Sequence, residues 1–202
     1  MLKGLSLACV GVLLGIAPMA HATIIVTEDF STVLPGTYNL GQAVGTAFTV
    51  TAGSVDVVGG AFFGGLCVGG ETAPCVDLSG NNAGTIATSS LALGPGNYLL
   101  SFVLNGSQRG VDASTTVSLG ALFSQTYITP SATANNVINQ AITVASGTTA
   151  VLSFASNTAG NIGSLLDNVS LTTTASAVPE PSSLLLCLGA LPLAWKLSRR
   201  RS

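Results

Sequence analysis

Tyr98-Leu99-Leu100-Ser101-Phe102-Val103-Leu104 is the stretch on which the fold turns. Its apolar period is two: Tyr98, Leu100, Phe102 and Leu104 share one face, and Leu99, Ser101 and Val103 share the other. A run so apolar on one side and still largely apolar on the other predicts a central strand. Working outward, further strands are expected at residues 24–30, 44–51, 54–58, 85–93, 115–119, 123–129, 137–144, 149–155 and 165–172. Turn signals separate them: Pro35-Gly36, Gly94-Pro95-Gly96, Asn105-Gly106, Ser146-Gly147 and the polar run 157–161. No body segment carries a helical apolar stripe. The pattern predicts an all-β, antiparallel β-sandwich over residues 23–172, one domain long enough to bury about two thirds of its surface. Alternation assigns Phe30, Phe48, Phe62, Phe63, Phe102, Phe123 and Phe154 mostly to the core and leaves Tyr38 and Tyr127 as the exposed rings available to a ligand, with the alternative that Tyr127 and Ile128 before Thr129-Pro130 close a strand.

Only 7% of the 202 residues are charged and 48% are hydrophobic, whereas soluble domains carry about a quarter charged residues. The apolar excess sits at the two ends. Residues 1–22 read as a signal peptide: Lys3, an apolar run from Leu5 to Met19, then Ala20-His21-Ala22, so that signal peptidase is expected to cut between Ala22 and Thr23. An uncleaved anchor is the competing reading, opposed by the short run and by Gly11 and Gly15.

The single histidine, His21, leaves with that segment. A domain without imidazole builds neither a Ser-His-Asp nor a Cys-His nucleophile system, nor the usual zinc, copper or non-haem iron site. From Thr23 to Val178 one cation, Arg109, faces seven acids, a net charge of −6. Such a surface does not neutralise a row of phosphates, so no nucleic acid is expected as partner. Two carboxylates remain the one catalytic device available. No convincing pair is visible, because Glu28 and Asp29 are adjacent and point to opposite faces of a strand, while Glu71 and Asp77 read as solvated charges flanking a cysteine loop.

Cys67 and Cys75 are the two thiols of the exported body, since Cys9 lies in the signal and Cys187 in the C-terminal apolar segment. Outside the cytosol they are expected to pair. Closing that short loop removes roughly 2.6 kcal/mol of unfolded-state entropy in the chain-entropy picture.

Beyond a linker at 173–177, the chain reads Val178-Pro179-Glu180-Pro181, then an apolar segment 182–195, then Lys196, Arg199, Arg200 and Arg201. The prolines hold an extended, protease-accessible stretch. The Leu-rich run is expected to enter a bilayer as a single hydrophobic helix, and the basic cluster to stay on the cytoplasmic side. The run is shorter than the roughly 20 residues of a stable span, which suits a transient anchor.

Two resemblances follow from these residues. The tail, residues 178–202, resembles the PEP-CTERM sorting signal, in which a Pro-Glu-Pro motif, a hydrophobic segment and a basic end come in fixed order. The resemblance implies an exosortase as partner, processing near Pro179, Glu180 and Pro181, and a Gram-negative envelope protein of the surface, exopolysaccharide or biofilm matrix. An ordinary stop-transfer anchor is the alternative. The stretch Pro95 to Phe102, together with Leu165-Leu166-Asp167-Asn168-Val169-Ser170-Leu171, resembles the jelly-roll sandwiches of carbohydrate-binding modules and related bacterial surface domains. That resemblance implies a structural calcium held by Asp167 with Glu28 or Asp29, against the alternative that Asp167 hydrogen-bonds locally.

The expected function is therefore a non-enzymatic, exported surface or matrix protein with a structural or adhesive role. A specific carbohydrate-binding module, contacting extracellular polysaccharide through Tyr38 or Tyr127, is the alternative, and an exported two-carboxylate hydrolase ranks last.

Overall fold

In the computed structural model, residues 21–68 and 74–174 are described, and every regular element among them is a strand. The first six are β1 (Ile24–Glu28), β2 (Gly36–Asn39), β3 (Ala43–Val44), β4 (Phe48–Ala52), β5 (Ser54–Val58) and β6 (Cys75–Asp77). There follow β7 (Thr85–Thr88), β8 (Leu91–Leu93), β9 (Gly96–Asn105), β10 (Ala113–Leu119) and β11 (Phe123–Thr129). The last are β12 (Val137–Val144), β13 (Thr148–Ala150), β14 (Leu152–Ser156) and β15 (Leu165–Thr173).

A seven-stranded sheet runs β12-β9-β15-β6-β5-β2, with β1 also paired to β15. A six-stranded sheet runs β11-β10-β14-β7-β4-β3, and β13 and β8 form a small ribbon. All strand pairs are antiparallel. The Tyr98–Leu104 alternation becomes the middle of β9, where Tyr98, Leu100, Phe102 and Leu104 are buried and the residues between them half-buried. Strand β10 repeats the device with Ala113, Thr115, Val117 and Leu119 inward.

The inward faces of the two sheets meet in one core. Phe102 of the larger sheet lies edge-on to Phe154 of the smaller, ring centroids 5.2 Å apart, and Phe154 continues to Phe48 at 5.9 Å and Phe48 to Phe30 at 6.2 Å. This aromatic line joins the layers with the offset geometry that ring quadrupoles favour. The chain crosses between sheets at Gly53, between β4 and β5. There φ is +58° and a Cβ would stand 1.9 Å from the Ala83 carbonyl oxygen, so only glycine turns this corner. A smaller cluster, Val58, Cys75 and Leu165 with Leu66 and Cys67, lies on the outer face of the seven-stranded sheet, beneath the disulfide.

Several expected elements are redrawn. Residues 85–93 divide into β7 and β8, and residues 149–155 into β13 and β14, because the chain leaves the sheet for the side ribbon between them. Residues 44–51 form the hairpin arms β3 and β4. Strands β2 and β6 arise in stretches where no strand was expected. The sheet also extends past residue 172: the Thr173 amide donates to Thr23 O at 2.9 Å, and Thr174 N to Asn97 O at 2.8 Å, so the linker starts later than 173. The signal segment 1–20, Glu71 and the sorting tail with its apolar helix at 182–195 lie outside the described residues.

Candidate functional site

The site is built where β15 changes partners. Its first residues pair with β6 on one side (Leu165↔Asp77, Leu166↔Val76), and its later ones with β1 (Glu28↔Val169 through Ile24↔Thr172). On the other side the register to β9 slips between Asp167 and Ser170. The residue that absorbs the slip is Asn168, at φ +50°, a conformation to which Asn is better suited than other non-glycine residues. The bulge turns Asn168 outward, its amide N–H and Nδ2 donating to the two Asp167 oxygens at 2.7 and 3.2 Å.

Beside this bulge the outer face of the seven-stranded sheet is hollowed into a cleft of about 320 Å³. Ser101 and Val103 of β9 and Asp167 and Asn168 of β15 contribute to it, Asn135 and Val137 bring in the start of β12, and the Cys67–Cys75 disulfide closes the opposite wall. Asn135 is also left-handed, at φ +54°, so two exposed asparagines in turn conformations flank the opening. Among the described lining residues Asp167 is the single charged group, and it is buried. The cleft thus offers amide and hydroxyl groups over an apolar floor, a surface that hydrogen-bonds a neutral polar ligand without an ion to desolvate.

Of the sequence-selected residues, the cysteines pair as expected and the tyrosines and acids are engaged elsewhere. Cys67 and Cys75 form a disulfide with Cα atoms 5.8 Å apart. Ala22 and Thr23 are exposed just before β1. Tyr38 lies on β2 and Tyr127 on β11, different edges of the sandwich, and neither lines the cleft. Both rings pack against the core rather than standing free: the Tyr38 hydroxyl donates to Leu34 O at 2.9 Å, and Tyr127 is edge-on to Phe102 at 5.8 Å. Burial pushes the Tyr127 phenol above its usual range.

The exposed ring is instead Phe63, 59% accessible, although alternation assigned it to the core. It holds φ +53°, an unusual conformation for a bulky residue, and stacks edge-on to Phe62 at 4.9 Å, in the Gly-rich segment leading into the disulfide loop. Period-two reasoning fails there because Phe62 and Phe63 sit in a turn: Phe62 and Gly59 exchange backbone hydrogen bonds at 2.8 and 2.9 Å.

The three acids expected around calcium do not gather. Glu28 is turned inward and spent on the backbone: Oε1 accepts from Phe30 N at 3.1 Å, and Oε2 from Thr46 N at 2.6 Å, Thr46 Oγ1 at 3.0 Å and Ala47 N at 3.2 Å. Asp29 faces solvent and caps its own turn through Ser31 N at 3.0 Å, which holds its carboxyl below the usual range. Among the described residues no group of three or more His, Cys, Asp or Glu is arranged to hold a metal ion.

Asp77 is likewise not a solvated charge. It is 1% exposed, receives Ser79 N at 2.9 Å and Gly163 N at 3.0 Å, and forms an ion pair with Arg109. Burial raises its pKa to about 6 although the guanidinium opposes the shift. A carboxyl so enclosed is a structural anchor for the 163 turn and not a group that reaches substrate.

No family model matches the chain, and neither does a curated protein. Among solved structures it is similar to the K1 cleaved adhesin domain of Lys-gingipain from Porphyromonas gingivalis W83, at 15% identity over 74% of this chain and 98% of that one, with a TM-score of 0.46. The K3 cleaved adhesin domain of the same protein is 15% identical over 76% of this chain and all of that one, with a TM-score of 0.45. A family 35 carbohydrate binding module from Clostridium thermocellum is 14% identical over 77% of this chain and all of its own, with a TM-score of 0.40.

Proposed function

We propose that the chain is an exported, exosortase-sorted protein of the Gram-negative surface or extracellular matrix, whose β-sandwich adheres to neutral polysaccharide without transforming it. The observation that carries the adhesive half is the outer cleft, with its amide and hydroxyl lining, its single buried carboxylate, and exposed Phe63 on the segment leading into the same disulfide loop. A sugar presents hydroxyls to such a lining and an apolar ring face to an aromatic side chain, and it asks for no charge. The sorting half rests on the sequence: signal peptide at 1–22, Pro179-Glu180-Pro181, the apolar run 182–195 and the basic end.

The test is binding of the exported chain to the polysaccharides of the cell that makes it, measured calorimetrically with Phe63→Ala and Asn168→Gly beside the parent. The glycine keeps the left-handed backbone and deletes only the amide. Saturable binding weakened about tenfold or more in both variants is expected. Absence of binding to any polysaccharide, or binding by both variants as tight as the parent's, overturns the reading in favour of a purely structural role.

A further inference from the structure

We infer that strand β12 is a self-association edge, along which two copies of this chain pair into one continuous sheet. β12 ends the seven-stranded sheet, and its sequence Val-Ile-Asn-Gln-Ala-Ile-Thr-Val contains no charge and no proline. Its pairing with β9 runs without a register shift over all eight residues. Edge strands are normally protected by lysine, proline, a bulge or inward charge. None of these devices is present on β12.

The backbone directions follow from the register. The Leu104 amide donates to Asn136 O at 3.0 Å, so the even-numbered positions of β12 are the ones that exchange hydrogen bonds with β9. Asn139, Ala141 and Thr143 therefore aim their N–H and C=O groups away from the sheet. The Gln140 Nε2 atom donates to Ala141 O at 2.8 Å, so the side chain of the same strand occupies the outward carbonyl when the copy is alone.

The occupant is a second β12. A two-fold axis normal to the sheet at Ala141 sets Ala141 against Ala141 and Asn139 against Thr143 on the outer face. On the inner face it sets Gln140 against Ile142 and Ile138 against Val144. Every outward donor then meets an outward acceptor, the smallest side chain lies on the axis, and no ion is desolvated as the two uncharged strands meet. A body of net charge −6 keeps its acids on other elements, so the seam is neutral while the rest of the surface repels only at a screened distance.

The same axis preserves faces, so both clefts open on one side of the joined sheet. Each lies at the Val137 end of its β12, which separates them by about 25–30 Å along the seam. If the clefts bind glycan, the pair is bivalent; that corollary rests on the adhesive reading, while the pairing itself does not.

The experiment is sedimentation velocity on the full chain recovered from its own cells, in mild detergent, with no polysaccharide present. Dimer is expected in the parent, and at least about tenfold weaker association in Ala141→Pro, which removes only an outward N–H, and in Ala141→Lys, which places a charge on the seam. Thermal unfolding within error of the parent shows that each variant has kept its fold, and the lysine variant decides the matter if the proline variant unfolds. A monomeric parent overturns the inference, as does a dimer that survives Ala141→Lys, which would locate the contact elsewhere on the chain.

Discussion

At the scale of single residues, the Asp77–Arg109 pair shows how a nearly uncharged domain handles the ions it retains. The folded-state pKa of Asp77, about 6, lies above its ordinary 3.8, so between those values the native chain binds more protons at this site than the unfolded chain. The contribution of this group to stability is complete below about pH 4 and is lost as pH rises through 6, a change on the order of 3 kcal/mol. Urea midpoints measured from pH 4 to pH 7 are expected to carry that downward slope, and Asp77→Asn to flatten it, since an amide oxygen still accepts from Ser79 and Gly163. At the sheet-crossing corner, Gly53→Ala meets both a left-handed φ and the Ala83 carbonyl, and is expected to cost several kcal/mol in the same titration.

At the scale of elements, the disulfide acts as a wall of the cleft as well as a tether. Replacing Cys67 and Cys75 together by serine is expected to lower stability by roughly 2–3 kcal/mol in chemical denaturation. It also unseats Leu66 above Val58 and Leu165, so glycan affinity is expected to fall along with stability. The strands that carry the core were legible in the sequence, because Tyr98–Leu104 and Val137–Val144 write period two in large apolar residues. Strand β6 was not. Cys75-Val76-Asp77 is three residues long, and Asp77 is held in a strand's buried place by Arg109, 32 positions away, and by the amides of Ser79 and Gly163. Strand β2, Gly36-Thr37-Tyr38-Asn39, has turn residues at both ends and so was not legible either. The cleft was half legible: the cysteine loop and Asp167-Asn168 drew attention, but what unites them is a register slip between β9 and β15, a tertiary fact with no local signature. Calcium at Asp167 with Glu28 or Asp29 was implied by the resemblance to carbohydrate-binding modules, and the local sequence does not show how those acids are engaged. Glu28 is committed to three backbone amides instead.

At the scale of the molecule, the two sheets are joined by the aromatic line through Phe102 and Phe154. Phe154→Ala removes the ring that touches both Phe102 and Phe48, and is expected to cost about 3–5 kcal/mol, read as an equal loss by fluorescence and circular dichroism if unfolding is two-state. The sorting proposal is tested at this scale by the intact mass of the chain recovered from envelope and medium. A chain beginning at Thr23 and ending near Pro179–Pro181 is expected, whereas a chain still ending at Ser202 in every fraction makes the tail a permanent anchor. The position of β15 also sets an order of events. It is the last described strand to be synthesised, yet it is the strand on which β1, β6 and β9 all close. Until residue 173 has emerged, β1 lacks its partner and the larger sheet is divided between its two halves. Closure therefore waits on contacts between chain ends about 150 residues apart, which makes it slow. The larger sheet of a chain made from its N-terminus thus stays in two halves until residues 165–173 arrive, and locks only then.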